Sequence, residues 1–252
     1  MKKVNIYIAV HKKCDLPKQD GYIPIHVGAE GKEDLGYLKD NSKKDNISKK
    51  NPNYCELTGV YYIWKNVKCD IVGLVHYRRY FFLNKNEHTL DKITDEKEIE
   101  KIMKDYDVVL PKKVKLIGRD VRKQWDKFHN PKDLDITREV IKEKYPEYIE
   151  AFDEVLKRNY LYPYNMLITK KEIFDEYSKW LFDILFEVEK RVDTSSYTPY
   201  EKRLYGFLSE RLLNVWFAKN NKYRIKELYV YNIDESYFKQ NLINNIKDII
   251  VR

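Results

Sequence analysis

Apolar positions change period repeatedly along the chain, and the changes outline alternating strands and helices. Val4–Val10, apolar but for Asn5, reads as a first buried strand broken sharply by His11, Lys12 and Lys13. Asp20–Gly28 holds a short strand between turn residues, and Lys32–Lys50 follows as a long polar loop, to be read as a binding loop or a disordered segment. The stretch Asn51–Phe82 then organises the first half. Asn51 can cap a helix, Pro52 fits its first turn, and Tyr54, Leu57, Tyr61 and Trp64 recur on one face, with Asn66 as the stop. Ile71–Val75 is a buried strand, and at its end the chain turns abruptly cationic and aromatic: His76, Tyr77, Arg78, Arg79, Tyr80.

A polar excursion over Asn84–Asp95 precedes a short amphipathic helix over Asp95–Lys104 and a buried strand over Tyr106–Leu110, stopped by Pro111. Lys115–His129 mixes basic and aromatic residues with weak periodicity and reads as a flap. Lys132–Arg158 supplies two helices, the second starting at Pro146. Tyr164–Thr169 reads as a strand, Lys171–Val192 and Tyr200–Lys219 as long helices, and Arg224–Tyr231 as a last strand. Phe238–Val251 carries an apolar helical stripe that suits either packing on the domain or lying on a membrane surface. The pattern predicts an α/β fold, a mixed sheet flanked by helices with a mostly helical C-terminal section. One domain over 1–235, sheet-rich over 1–130 and helix-rich over 131–235, is expected to precede an amphipathic tail over 236–252.

Composition narrows the partners. A formal charge of +8 favours anionic ligands, but 48 Lys and Arg are interleaved with 40 acids, unlike a dedicated nucleic-acid binder, and no nucleic acid is expected. The 22 tyrosines suit either half-buried packing or stacking platforms. Cys14, Cys55 and Cys69 have neither metal-ligand spacing nor an even disulfide framework and read as reduced thiols. With no signal peptide and no apolar stretch of membrane-spanning length, a cytoplasmic placement is expected, with peripheral membrane contact through the tail as an option.

The P-loop, the dinucleotide GxGxxG, HExxH, GxSxG and Cys–His zinc patterns are all absent. What remains is the cluster at the end of the Ile71–Val75 strand. In open α/β sheets ligands bind beyond the carboxyl ends of strands, so His76, Tyr77, Arg78 and Arg79 suit an anion site, joined by His11 and Lys12 after the first strand. Two guanidiniums can bind phosphate oxygens through forked hydrogen bonds. The structural alternative pairs both arginines with carboxylates and makes His76 a satisfied core histidine.

Several longer segments, NPNYCELTGVYYIWKN, GLVHYRRYF, HNPKDLDITREVIKEKYPEYIEAFDEV, YNMLITKKEIFDEYSKWLFDIL and GFLSERLLNVW, resemble the bacterial domain-of-unknown-function family 4422, over roughly residues 4–230. The resemblance implies a GT-A-like glycosyltransferase of capsular or exopolysaccharide biosynthesis. It would move a sugar, galactofuranose or galactose, from a nucleotide-diphosphate donor, with UDP favoured, to a growing lipid-linked glycan. GT-A enzymes usually hold a divalent metal with a D-x-D motif; none ends a buried strand here. The arginines are therefore expected to take the metal's electrostatic task, with Mn or Mg binding as the alternative. Glu210, in GFLSERLLNVW, is the first choice for general base, against a structural ion pair with Arg203 or Arg211. Asp193 and Asp45 are weaker candidates. Asp45 and Asn46, in DNSKKDNIS, are assigned to the donor, although the family tends to show DNTGDNIS there. His129, Tyr164 and Asn165 are assigned to sugar hydroxyls, against ordinary turn or core roles. A non-catalytic nucleotide-sugar or glycan-binding subunit is the competing function.

Overall fold

A computed structural model describes residues 3–85 and 87–235. The tail read from residue 236 onward lies outside the described residues. Ten strands are described: β1 Val4–Val10, β2 Tyr22–His26, β3 Leu38–Lys39, β4 Ile71–His76, β5 Arg79–Phe82, β6 Val108–Pro111, β7 Val114–Lys115, β8 Tyr160–Leu161, β9 Leu167–Lys170 and β10 Ile225–Asn232. The α-helices are α1 Asn51–Tyr54, α2 Leu57–Asn66, α3 Glu96–Asp105, α4 Val121–Phe128, α5 Pro131–Lys144, α6 Ile149–Lys157, α7 Lys171–Arg191 and α8 Leu204–Lys219. None is long and apolar enough to cross a membrane among the described residues.

The sheet is mixed. Strands β3, β2, β1 and β4 run parallel in that order, with Ala9 of β1 in register with His76 of β4. Strand β9 adds antiparallel to β4 and to β6, and β10 pairs parallel with β6. An open sheet is the sequence expectation, but β5 folds back on β4 through the pair His76↔Arg79 and is taken up antiparallel by β10. Hydrogen bonds thus close β4, β5, β10, β6 and β9 into a ring. The tight Tyr77–Arg78 turn causes this, by returning the chain alongside β4 instead of carrying it away.

Period-two alternation gives the sheet two buried faces. Tyr7, Ala9, Val72, Leu74, Val108, Leu110 and Leu167 face the large helical layer, whereas Ile6, Ile8, Val10 and Val75 join Phe81, Phe82 and the Ile99–Met103 side of α3. Gly73 is required at β4, because a Cβ there would sit 2.7 Å from Ile168 Cγ1 and 3.2 Å from the Leu167 carbonyl.

Local chemistry explains the elements and the departures from expectation. Helix α3 starts at a full capping box, in which Asp95 accepts from the Glu98 N–H at 2.8 Å and Glu98 accepts from the Asp95 N–H at 2.9 Å. The loop over 32–50 is held by buried Asp40, which accepts from the Gly28 N–H at 2.6 Å and from the Ala29 N–H and Ser48 hydroxyl. The segment read as a flap instead forms α4, capped by Asp120, with Trp125 fully buried. Its anchors, Val121 and Trp125, are spaced four apart, one helical turn that the surrounding basic residues obscure. The helix expected over Asn51–Asn66 is broken: Cys55 takes φ 51°, ψ −131°, so α1 stops and α2 restarts at Leu57. Asn51 is not its cap but the first residue of α1, and its amide donates to the Cys55 carbonyl at 2.7 Å. The strand read from Tyr164 begins only at Leu167, because Tyr164 and Asn165 adopt φ of 77° and 52°.

Candidate active site

Parallel pairing brings the ends of β1 and β4 to the same edge, where the Tyr77 N–H donates to the Ala9 carbonyl. A cavity of about 480 Å³ opens there. His11, His76, Tyr77, Arg78 and Arg79 line it from the sheet edge, Glu56 from the α1–α2 break, Tyr164 from the approach to β9, and Arg203, Phe207 and Glu210 from the start of α8. A cation-rich edge therefore faces two carboxylates.

The arginines are held by aromatic faces. Arg79 lies 4.7 Å over the Tyr164 ring and Arg78 5.0 Å over Tyr77. Among the described residues, Arg78 Nε makes no hydrogen bond, and its carboxylate contact, to Asp234, is long at 3.8 Å. Arg203 lies 5.2 Å over Phe207 and donates to Cys55 Sγ at 3.4 Å. Stacking fixes each guanidinium plane while leaving N–H groups for a ligand.

Helix α8 is buried along nearly its whole length. Glu210 is 7% exposed and Arg211 2%, paired at 3.2 Å. Of the two arginines considered as partners of Glu210, Arg211 is the one it pairs with. Arg211 also donates to the Phe207 carbonyl and to Gln124, and stacks on Trp125, which ties α8 to α4 behind Glu210. Burial raises the Glu210 pKa to about 7, opposed by Arg211, assisted by negative Glu56, and opposed again by the Tyr164 backbone N–H and Arg79.

The left-handed pair Tyr164–Asn165 ties these groups together. The Tyr164 backbone N–H favours the charged form of Glu210, and the Tyr164 carbonyl accepts from His76 Nε2 at 2.7 Å. A carbonyl only accepts, so Nε2 carries the proton and Nδ1 of the neutral ring keeps its lone pair. Burial holds the His76 pKa below its ordinary value, against the pull of Glu56. Asn165 Nδ2 donates to Glu56 Oε1 at 2.6 Å and to the Gly206 carbonyl at 3.0 Å.

The residues expected at a site divide cleanly by position. His11, His76, Tyr77, Arg78, Arg79, Tyr164 and Glu210 meet at one cavity, and Asn165 lies directly beneath them through Glu56. Lys12 is 5.5 Å over the Tyr77 ring and lines two neighbouring cavities. Asp45 and Asn46 do not line the main cavity: Asp45 accepts from the Tyr61 hydroxyl at 2.8 Å, and Asn46 closes its own turn on the Lys43 carbonyl. Exposed Asp193 accepts from the Ser195 N–H. His129 packs 4.4 Å from Trp125 and 4.5 Å from Phe207, and burial with help from Arg211 pushes its pKa down to about 3. Glu56 and Arg203 were not expected as ligand-facing residues. Glu56 sits inside an apparently continuous helix, and only the Cys55 conformation turns it inward. Among the described residues no group of three or more His, Cys, Asp or Glu side chains is placed to hold a metal ion.

The fold is similar to that of a solved structure. The structure titled "WbbM bifunctional glycosytransferase apo structure" superposes with a TM-score of 0.84 at 30% identity, over 92% of this chain and 46% of that one. The present chain thus spans about half the length of that protein. No curated protein matches the chain at a significant level. A family model matches residues 5–221, taking in both sheet edge and α8, and the chain belongs to the domain-of-unknown-function family DUF4422.

Proposed function

We infer that the protein is a glycosyltransferase that moves a sugar from a nucleotide-diphosphate donor to a hydroxyl of a glycan acceptor. UDP is the favoured nucleotide, galactofuranose or galactose the favoured sugar, and a growing surface polysaccharide the favoured acceptor. The observation that carries the reading is a buried carboxyl, Glu210, poised near neutral pH in the same cavity as stacked Arg78 and Arg79. The structural similarity to a bifunctional glycosyltransferase at 30% identity supports the same class of chemistry.

In this reading Arg78 and Arg79 bind the diphosphate and stabilise the charge that develops on the leaving oxygen. For an inverting transfer, the acceptor oxygen forms its bond to the anomeric carbon as the bond to the diphosphate breaks. The bonding pair leaves with the phosphate oxygen, and the acceptor proton passes to Glu210. His76, its proton fixed on Nε2, offers Nδ1 to a hydroxyl of the bound substrate.

Calorimetric titration with UDP, with GDP and CMP as controls and with chelator or Mn²⁺ added, tests the donor site. Selective UDP binding that persists in chelator is expected. Binding that requires Mn²⁺ would remove the assigned role of the arginines, and no nucleotide binding at all would leave a glycan-binding subunit as the better account.

A further inference from the structure

All the non-glycine residues with positive φ among the described residues, Cys55, Tyr164 and Asn165, converge on this one cavity. Such conformations are disfavoured for residues other than glycine, least so for asparagine, and persist where the surroundings enforce them. Here they serve a common result. The Cys55 conformation ends α1 and turns Glu56 out of the helical path into the cavity. Asn165, itself left-handed, then clamps Glu56 Oε1. The Asn165 amide orientation is dictated by its two acceptors, Glu56 and the Gly206 carbonyl, and this leaves buried Asn165 Oδ1 with no hydrogen-bond partner among the described residues. A backbone that tolerates two left-handed residues and a buried unpaired carbonyl in order to fix one carboxylate is holding that carboxylate for something other than stability.

Close packing supports the same aim. Gly206 lets α8 approach the break so closely that a Cβ there would lie 3.2 Å from Cys55 Sγ. Arg203 is engaged with Cys55 and Phe207, and Glu56 makes no salt bridge among the described residues. Its second carboxylate oxygen accepts no hydrogen bond from them either, and the side chain lines the cavity.

We propose that Glu56 is the donor-sugar reader of the site, accepting hydrogen bonds from hydroxyls of the transferred sugar through its free oxygen, with Asn165 as the positioning residue that aims it. An ionised carboxylate is the strongest acceptor for a hydroxyl pair, and a fixed one discriminates between hydroxyl arrangements. The proposal rests on the glycosyltransferase reading and adds to it a division of labour: arginines for the diphosphate, Glu210 for the proton, Glu56 for the sugar.

The test compares Kd for UDP with Kd for UDP-galactose and UDP-galactofuranose, on the full chain, in wild type, Glu56→Gln and Asn165→Gly. Gln at 56 keeps a carbonyl for Asn165 while removing the charge, and Gly at 165 accepts positive φ while removing the clamp. Wild type is expected to bind one UDP-sugar more tightly than UDP, and Glu56→Gln to lose roughly 10-fold or more of that gain while binding UDP itself unchanged. Asn165→Gly is expected to lose a smaller part of the gain, with KM for the donor raised more than kcat is lowered. A Glu56→Gln variant that keeps the full sugar-dependent gain would overturn the proposal, as would a wild type that binds UDP with no gain from any sugar. A wild type that binds no nucleotide would instead overturn the parent reading, a distinct result visible before any variant is made.

Discussion

Glu210→Gln should make the protein more stable and abolish its activity, and the size of the gain follows from the site. In the folded chain Glu210 titrates near 7, against an ordinary value of 4.5, chiefly because its charged form is buried beside negative Glu56, with Arg211 only partly compensating. The native state therefore binds more protons than the unfolded state between those two values. Stability attributable to this group is fully present below about 4.5 and falls as pH rises through 7. Above that point the whole cost of the buried charge is felt, about 3 kcal/mol at roughly 1.4 kcal/mol per pH unit. Gln is nearly isosteric with the protonated acid and keeps an acceptor for Arg211. The assay is denaturant unfolding of both proteins at pH 5.5 and pH 8. Glu210→Gln should exceed wild type by about 3 kcal/mol at pH 8, and the difference should shrink markedly at pH 5.5. Turnover should meanwhile drop by a factor of about 100 or more. A variant less stable than wild type at pH 8, or a gap independent of pH, would refute the reasoning, because Glu210 would then be a net stabilising ion pair.

The same titration predicts that kcat/KM of the wild type rises with pH and levels off above about 7, as Glu210 becomes available as a base; a profile flat from pH 5.5 to 8 would contradict it. Arg79→Lys keeps the charge but loses the fork and the stacking on Tyr164, so UDP affinity should fall about 10-fold by calorimetry, with little change in melting temperature. His129 should stay neutral across pH 5–8, and its imidazole resonances in NMR should not titrate there, since burial with help from Arg211 holds its pKa near 3. Gly73→Ala should cost about 1–3 kcal/mol in denaturant unfolding, because the new Cβ meets Ile168 and the Leu167 carbonyl inside the sheet; an unchanged midpoint would show that β4 and β9 can separate freely.

Local pattern by itself determined most of the elements. Apolar runs ended by charged residues outlined β1, interrupted by Asn5 alone, and β4, because a strand covered on both faces leaves little polar alternation, and the long stripes of α7 and α8 leave no other period. The change from Val75 to His76-Tyr77-Arg78-Arg79 also located the cationic edge, since a buried strand must end where charge begins. Tertiary structure decided the rest. The five-strand closure depends on β10 accepting β5, a pairing about 150 residues apart that no local signal encodes. Glu56 was hidden because the helix breaks at Cys55, where α8 approaches closely at Gly206, and a cysteine with positive φ has no compositional signature. Asp45 and Asn46 are held in a turn away from the main cavity, and His129 packs between Trp125 and Phe207; the fold sets those positions, and residue type does not encode them. Residue type states what chemistry a side chain can do; burial and partners, which are properties of the folded chain, decide which of them do it.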